Sequence, residues 1–283
     1  MTVDPQRALA ATIDPTTTTW AAPDVILYHL GVGAGLTGST DPVELGYTYE
    51  RKMKVLPTFA VTPIMDLLLG LNDIDGIDID ITKLLHGEQD LTIHRPIPRS
   101  TEATHTARVT DVFDKGAAAL IVLDVETSDD DGPLCTNRVS LFARGEGGFG
   151  GDRGSSTLQP SPEREPDLVV ESPTMEHQAL IYRLSGDMNP LHADPALATG
   201  VGFDKPILHG LCTYGIVAKA VIDNALDADP AAVARYQARF SGIVYPGETI
   251  ITSMWREPDC VHVAATTAER GEAVISPATI WTR

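Results

Sequence analysis

Apolar positions along the chain fall into two kinds of pattern, and both recur in the same order in each half. Residues 56–71, LPTFAVTPIMDLLLGL, form an apolar stretch that predicts a helix, with Pro63 inside it as a point of kink or break. Residues 208–226, LHGLCTYGIVAKAVIDNAL, are apolar nearly all round, which predicts a buried helix. Each stretch is followed by alternating runs rich in Val, Ile, Thr and aromatics, the signature of half-buried strands. In the first half these are 90–94, 104–113, 118–126 and 136–144; in the second, 237–243, 249–256, 261–268 and 273–281. The turns correspond as well, Pro98-Arg99-Ser100 against Pro246-Gly247-Glu248. Between the halves, residues 145–167 (GEGGFGGDRGSSTLQPSPEREPD) lose all apolar periodicity and read as a linker. The pattern therefore predicts a duplicated α+β plan, residues 1–144 and 168–283, in which each antiparallel sheet wraps around a helix and the two sheets can run on as one.

Length allows that division: at roughly 150 residues per domain, 283 residues suggest about two domains or one large one. The hydrophobic share of 43% and charged share of 21% are ordinary for a folded, water-soluble protein. Charge narrows the partners. With 21 Lys and Arg against 39 Asp and Glu, the net charge of −18 repels phosphate backbones and anionic lipid. Neither nucleic acid nor a membrane is the expected partner. Cys135, Cys212 and Cys260 form no C-x-x-C pair, so the expectation is a reducing compartment without a disulfide framework. The first twenty residues are polar and Thr-rich, and the chain ends Trp281-Thr282-Arg283, which is not a peroxisomal address. A cytoplasmic location follows as an expectation.

The chemistry concentrates in Gly186-Asp187-Met188-Asn189-Pro190-Leu191-His192. A carboxylate, a carboxamide and an imidazole lie within six residues, punctuated by Gly186 and Pro190, which predicts a turn and a short helix from about Pro190. Such a turn can aim Asp187 and His192 at one water, and a carboxylate with a histidine can both take and return a proton. Gly210 lies at the start of the second apolar helix, where a backbone N–H can stabilise charge on a carbonyl oxygen. On the residues alone a structural capping turn fits Asp-x-Asn-Pro as well. No tetrahedral metal set and no G-x-S-x-G are present. The cluster Gly31-Val32-Gly33-Ala34-Gly35 lacks the Lys-Ser/Thr pair of a phosphate loop.

The stretch 182–210 resembles the signature of the R-specific enoyl-CoA hydratase family, hydratase 2, within the MaoC-like hot-dog proteins. Leu30-Gly31-Val32-Gly33, Leu56-Pro57-Thr58-Phe59, Leu85-His86-Gly87-Glu88-Gln89, Asp114-Lys115-Gly116, Gly147-Gly148-Phe149-Gly150-Gly151, Ala238-Arg239-Phe240 and Val244-Tyr245-Pro246-Gly247 extend the likeness. They are similar, in order and spacing, to the hydratase domain of peroxisomal multifunctional enzyme type 2. The resemblance implies an α+β double hot-dog fold and hydration of a trans-2-enoyl-CoA. It implies that Asp187 and His192 form a water-activating dyad, that Asn189 orients the site, and that the Gly210 N–H meets the thioester oxygen. It further implies substrate contacts at His86, Gly87, Lys115, Met188 and Phe240, with Lys115 near the CoA portion. The family pattern has tryptophan where this chain has Met188, which leaves the acyl preference open between fatty and steroid side chains.

The first half carries Asp41-Pro42 but no Asp-x-Asn-x-x-His, so one active site per chain is expected, with the first half giving room to the acyl group. Water and an acyl-CoA thioester suffice for the reaction, so no redox cofactor and no metal are expected. Sheet edges that pair between chains make a homodimer the expected assembly. Three other readings remain: a biosynthetic dehydratase acting on a 3-hydroxyacyl thioester, a non-catalytic acyl-CoA-binding module, and, more weakly, a thioesterase.

Overall fold

The computed structural model describes residues 3–80 and 83–283. Its strands are β1 (Thr16–Trp20), β2 (Leu84–Ile93), β3 (Thr101–Asp114), β4 (Ala118–Asp129), β5 (Gly132–Arg144), β6 (Leu168–Pro173), β7 (Val233–Phe240), β8 (Thr249–Arg256), β9 (Cys260–Thr267) and β10 (Ala273–Thr282). They form one antiparallel sheet in the order β1-β3-β4-β5-β2-β7-β10-β9-β8-β6. The β2–β7 pair, from Glu88 opposite Arg239 to Thr92 opposite Arg235, is the seam between the halves. Ion pairs Arg239–Glu88 and Arg235–Asp90 cross that seam. Alternation is visible in the burial itself: along β3, Ala103, His105, Ala107 and Val109 point inward while their neighbours face out.

The helices are α1 (Pro5–Ala10), α2 (Ala22–Gly31), α3 (Pro42–Thr48), α4 (Met65–Leu69), α5 (Gln178–Tyr182), α6 (Pro195–Gly200) and α7 (Gly210–Ala225). α7 is the long buried helix expected from the apolar run, enclosed from Leu211 to Ile222. It lies against β6 to β10 and also meets the 57–61 segment of the first half. Its fit depends on a missing side chain. A Cβ on Gly215 would stand 2.6 Å from both the Tyr28 hydroxyl and Val32, so glycine is what lets α2 cross α7 closely.

The first-half helix expected over 56–71 is corrected. Pro57–Val61 and Leu71–Asp73 are 3₁₀ turns, and only Met65–Leu69 is α-helical. Pro63 offers no N–H and crowds the preceding turn. Beside it the Thr62 hydroxyl donates to the Phe59 carbonyl, competing with the helical ladder. The sheet boundaries move as well. β2 begins at Leu84 rather than 90, which puts His86 and Gly87 inside a strand, at a bulge between His86 and Glu88. β7 runs 233–240 rather than 237–243. The edge strands β1 and β6 were not expected.

Residues 145–167 carry no helix or strand, yet they are pinned to the sheet. The Asp114 carboxylate accepts the N–H groups of Gly116, Gly148 and Gly150 at 2.7, 3.0 and 2.6 Å, and these bonds hold its pKa below the ordinary value. Further along, Gln237 donates to Thr157 and the Trp255 indole to the Arg164 carbonyl. The three cysteines are free and buried. Among the described residues, no helix is long and apolar enough to cross a membrane.

Candidate active site

The signature turn is built from local constraints. Gly186 has φ +126°, a conformation that side chains strain against, and it turns the chain out of the 3₁₀ segment Arg183–Ser185. The Asp187 carboxylate then accepts the Asn189 N–H at 3.2 Å. The Asn189 carboxamide oxygen accepts the Leu191 N–H at 3.0 Å and so caps the 3₁₀ turn Pro190–His192. Asn189 thus sets where His192 starts its turn, an orienting role exercised through the backbone.

His192 is 8% exposed, and its Nδ1 lies 2.8 Å from the Ile207 carbonyl. A carbonyl only accepts, so the proton is on Nδ1 and Nε2 carries the lone pair. Burial lowers the His192 pKa against the pull of the nearby Asp187 charge, which keeps the ring neutral and able to accept a proton. Asp187, His192 and His209 each bring a ligating atom within 4.8 Å of the others. The two imidazoles are stacked, 3.7 Å between centroids at 27°.

His209 is the residue that sequence reasoning passed over. It precedes Gly210 as the N-cap of α7 and is 1% exposed. Its Nε2–H donates to the main-chain carbonyl of Asp187 at 3.1 Å, and its other face meets buried Tyr182 at 4.9 Å. The available signal was a histidine directly before the glycine that opens an apolar helix.

Gly210 begins α7, so its N–H is one of the four at a helix start that no helical carbonyl satisfies. A Cβ there would lie 3.3 Å from the Phe240 ring. Phe240 in turn packs edge-on to His86 of the first half, 4.9 Å between centroids. Desolvation lowers His86 to about 4, and its Nε2 has no partner. The geometry therefore brings Asp187, His192, His209 and Gly210 together, and Phe240 carries the site across the seam to His86 and its neighbour Gly87. Met188 stands at the lip, 50% exposed. Lys115 is at the same end of the sheet, since Ala118 pairs with Arg144 while Leu84 pairs with Ala143. Its ammonium, however, is turned onto the carbonyls of Arg153 and Gly154. The cluster Gly31-Val32-Gly33 forms the C-terminal turn of α2, where the Gly31 carbonyl accepts from Gln178 and Cys212.

Beside the turn lies an open cavity of about 250 Å³ with a mixed lining, apolar at Trp20, Leu27, Phe59 and Leu184 and polar at Asp24, Thr62 and Ser185. That is just below the roughly 300–1,000 Å³ typical of small-ligand sites, the size for part of a ligand rather than a whole one.

Comparison with known proteins gives this geometry a context. Residues 19–145 match the family described as the MFE-2 hydratase 2 N-terminal domain, and residues 157–276 match the MaoC like domain. The chain is 44% identical to enoyl-CoA hydratase ChsH3 of Mycobacterium tuberculosis, over 97% of both chains. It is 42% identical to peroxisomal multifunctional enzyme type 2 of Mus musculus, over 89% of this chain and 35% of that one. The crystal structure of a MaoC-like dehydratase from Phytophthora capsici superposes with a TM-score of 0.86 at 31% identity, covering 98% of each chain. A MaoC-like half joined through one sheet to a hydratase 2 N-terminal half accounts for both matches, and the chain belongs to the MaoC-like, double hot-dog hydratase 2 family.

Proposed function

We propose that this protein catalyses the reversible hydration of a trans-2-enoyl-CoA to a (3R)-3-hydroxyacyl-CoA, as in fatty-acyl or steroid side-chain β-oxidation. The observation that carries the reading is the Asp187–His192 pair facing the N-terminus of buried helix α7 at Gly210. The thioester oxygen accepts the Gly210 N–H, which stabilises the enolate-like charge that develops on it. Water held between the Asp187 carboxylate and His192 Nε2 loses a proton to the dyad as its oxygen bonds to C3. A proton returns to C2, and the sum is one water added across the double bond. Water is the only co-reactant, with no metal and no redox cofactor. The relative named an enoyl-CoA hydratase, 44% identical over 97% of both chains, supports the same chemistry. Dehydration of the 3-hydroxyacyl thioester is the same reaction reversed, on the same residues.

The test is loss of the conjugated-thioester absorbance of trans-2-decenoyl-CoA, followed by chiral analysis of the product. Rapid loss giving the 3R alcohol is expected. Stable absorbance with both decenoyl-CoA and a steroid side-chain enoyl-CoA, a 3S product, or release of free thiol in its place overturns the reading.

The first half takes the acyl tail, in the cavity that Trp20, Leu27 and Phe59 share with Leu184. Filling that cavity with Leu184→Trp should raise KM for decenoyl-CoA while sparing crotonyl-CoA. The ratio of their kcat/KM values should move by about tenfold toward the short substrate, the usual worth of a methylene or two against apolar side chains such as Trp20, Leu27 and Phe59. An unchanged ratio would place the tail elsewhere.

A further inference from the structure

We infer that His209 is a positioning residue that ties the proton-transfer end of the site to its oxyanion end; this rests on the hydration reading above. Three contacts converge on one buried ring. Its Nε2–H holds the Asp187 carbonyl at 3.1 Å, its face covers His192 at 3.7 Å, and its own backbone precedes Gly210. The other bonds of the Asp187 loop are local, apart from His192 Nδ1–H on the Ile207 carbonyl three residues before α7. Met188 N–H turns back to the Gly186 carbonyl, and Arg183 donates to the Met188 carbonyl at 3.2 Å. His209 and Arg183 thus hold two successive carbonyls, and of the two it is His209 that joins its carbonyl to α7.

The consequence is geometric. A water on the dyad must reach C3 of a thioester whose oxygen sits on the Gly210 N–H. The distance between those two points is set by whatever joins Asp187 to α7, and the covalent path between them runs through more than twenty residues. The His209 hydrogen bond shortens that path to one side chain. Its stack also blocks rotation of the His192 ring, so that Nε2 keeps facing the water while Nδ1 stays on Ile207. His209 does this as a neutral ring. Its Nδ1 is buried without a partner, and burial, with His192 beside it, holds its pKa well below the ordinary value. A charged imidazole here would face His192, Asp187 and Arg183 together and disturb the dyad it supports.

Two variants separate donor from ring. His209→Phe keeps the stack and loses the donor. His209→Gln keeps an amide N–H at similar reach and loses the ring. Near-attack placement is steep, about 10²-fold in rate per ångström. His209→Phe should therefore lower kcat by about 10²-fold with KM for the enoyl-CoA within threefold, while His209→Gln recovers to within about tenfold of wild type. The thermal midpoint, recorded for both, keeps the rates on folded protein. Wild-type kcat in His209→Phe, or a His209→Gln rate no better than that of His209→Phe, overturns the positioning role. A wild-type protein with no turnover refutes the hydratase reading instead, so the two failures are distinct.

Discussion

Asp187→Asn should lose hydration of trans-2-enoyl-CoA by about 10²–10⁴-fold in kcat, the range that a positioned general acid–base contributes. The substitution is nearly isosteric. An Asn oxygen can still accept the Asn189 N–H that shapes the turn, and the loop carbonyl stays on His209. What is lost is a group able to take a proton from water. His192 alone then faces the water, with its pKa no longer raised by the neighbouring carboxylate but still lowered by burial. Because Gly210 and Phe240, the proposed substrate contacts, are untouched, KM should change little, the pattern of a lost transition-state interaction rather than lost binding. Steady-state kinetics with decenoyl-CoA, together with a far-UV spectrum matching wild type, checks this. A variant turning over within tenfold of wild type would remove Asp187 from the chemistry.

How much of this was readable from residue order depends on the distance over which each feature is determined. The 186–192 turn was legible because Gly186, Asp187, Asn189, Pro190 and His192 make their structure locally, through a positive φ and two side-chain caps. α7 was legible because its apolar residues surround it on every face. The broken 56–71 segment was half legible: Pro63 marked the break, but the 3₁₀ turns on either side follow from tertiary packing and from the Thr62 hydroxyl. β1 was not legible, since Thr16–Thr19 present no apolar alternation and become a strand only by pairing with β3. His209 escaped because its partners, Asp187 and His192, are 22 and 17 positions away in sequence. The Gly-rich 145–154 stretch read as slack chain, while its N–H groups are in fact collected by Asp114, some 34 residues earlier.

The same reasoning applies to a charge that the apolar pattern of α7 conceals. Lys219, 9% exposed, lies within 2.8 Å of both Glu44 of α3 and Asp223 one turn on. Tyr47 donates to the other Asp223 oxygen at 2.6 Å, and the Gly35 N–H to the other Glu44 oxygen at 2.6 Å. One cation therefore holds buried Glu44 and largely buried Asp223, each already hydrogen-bonded to the loop and helix of the first half. Lys219→Ala leaves both anions uncompensated and facing one another, and breaking a buried pair in this way costs about 3–5 kcal/mol. Guanidinium unfolding should show that loss as a lower midpoint with an unchanged slope. Lys219→Met combined with Glu44→Gln and Asp223→Asn, which removes every charge, should recover most of it. Activity should behave differently. Lys219 is nine residues along α7 from Gly210, about 14 Å at the helical rise, so kcat per folded molecule should stay at the wild-type value. A stability within about 1 kcal/mol of wild type would mean that the triad merely offsets its own desolvation and that α3 is held to α7 by packing alone.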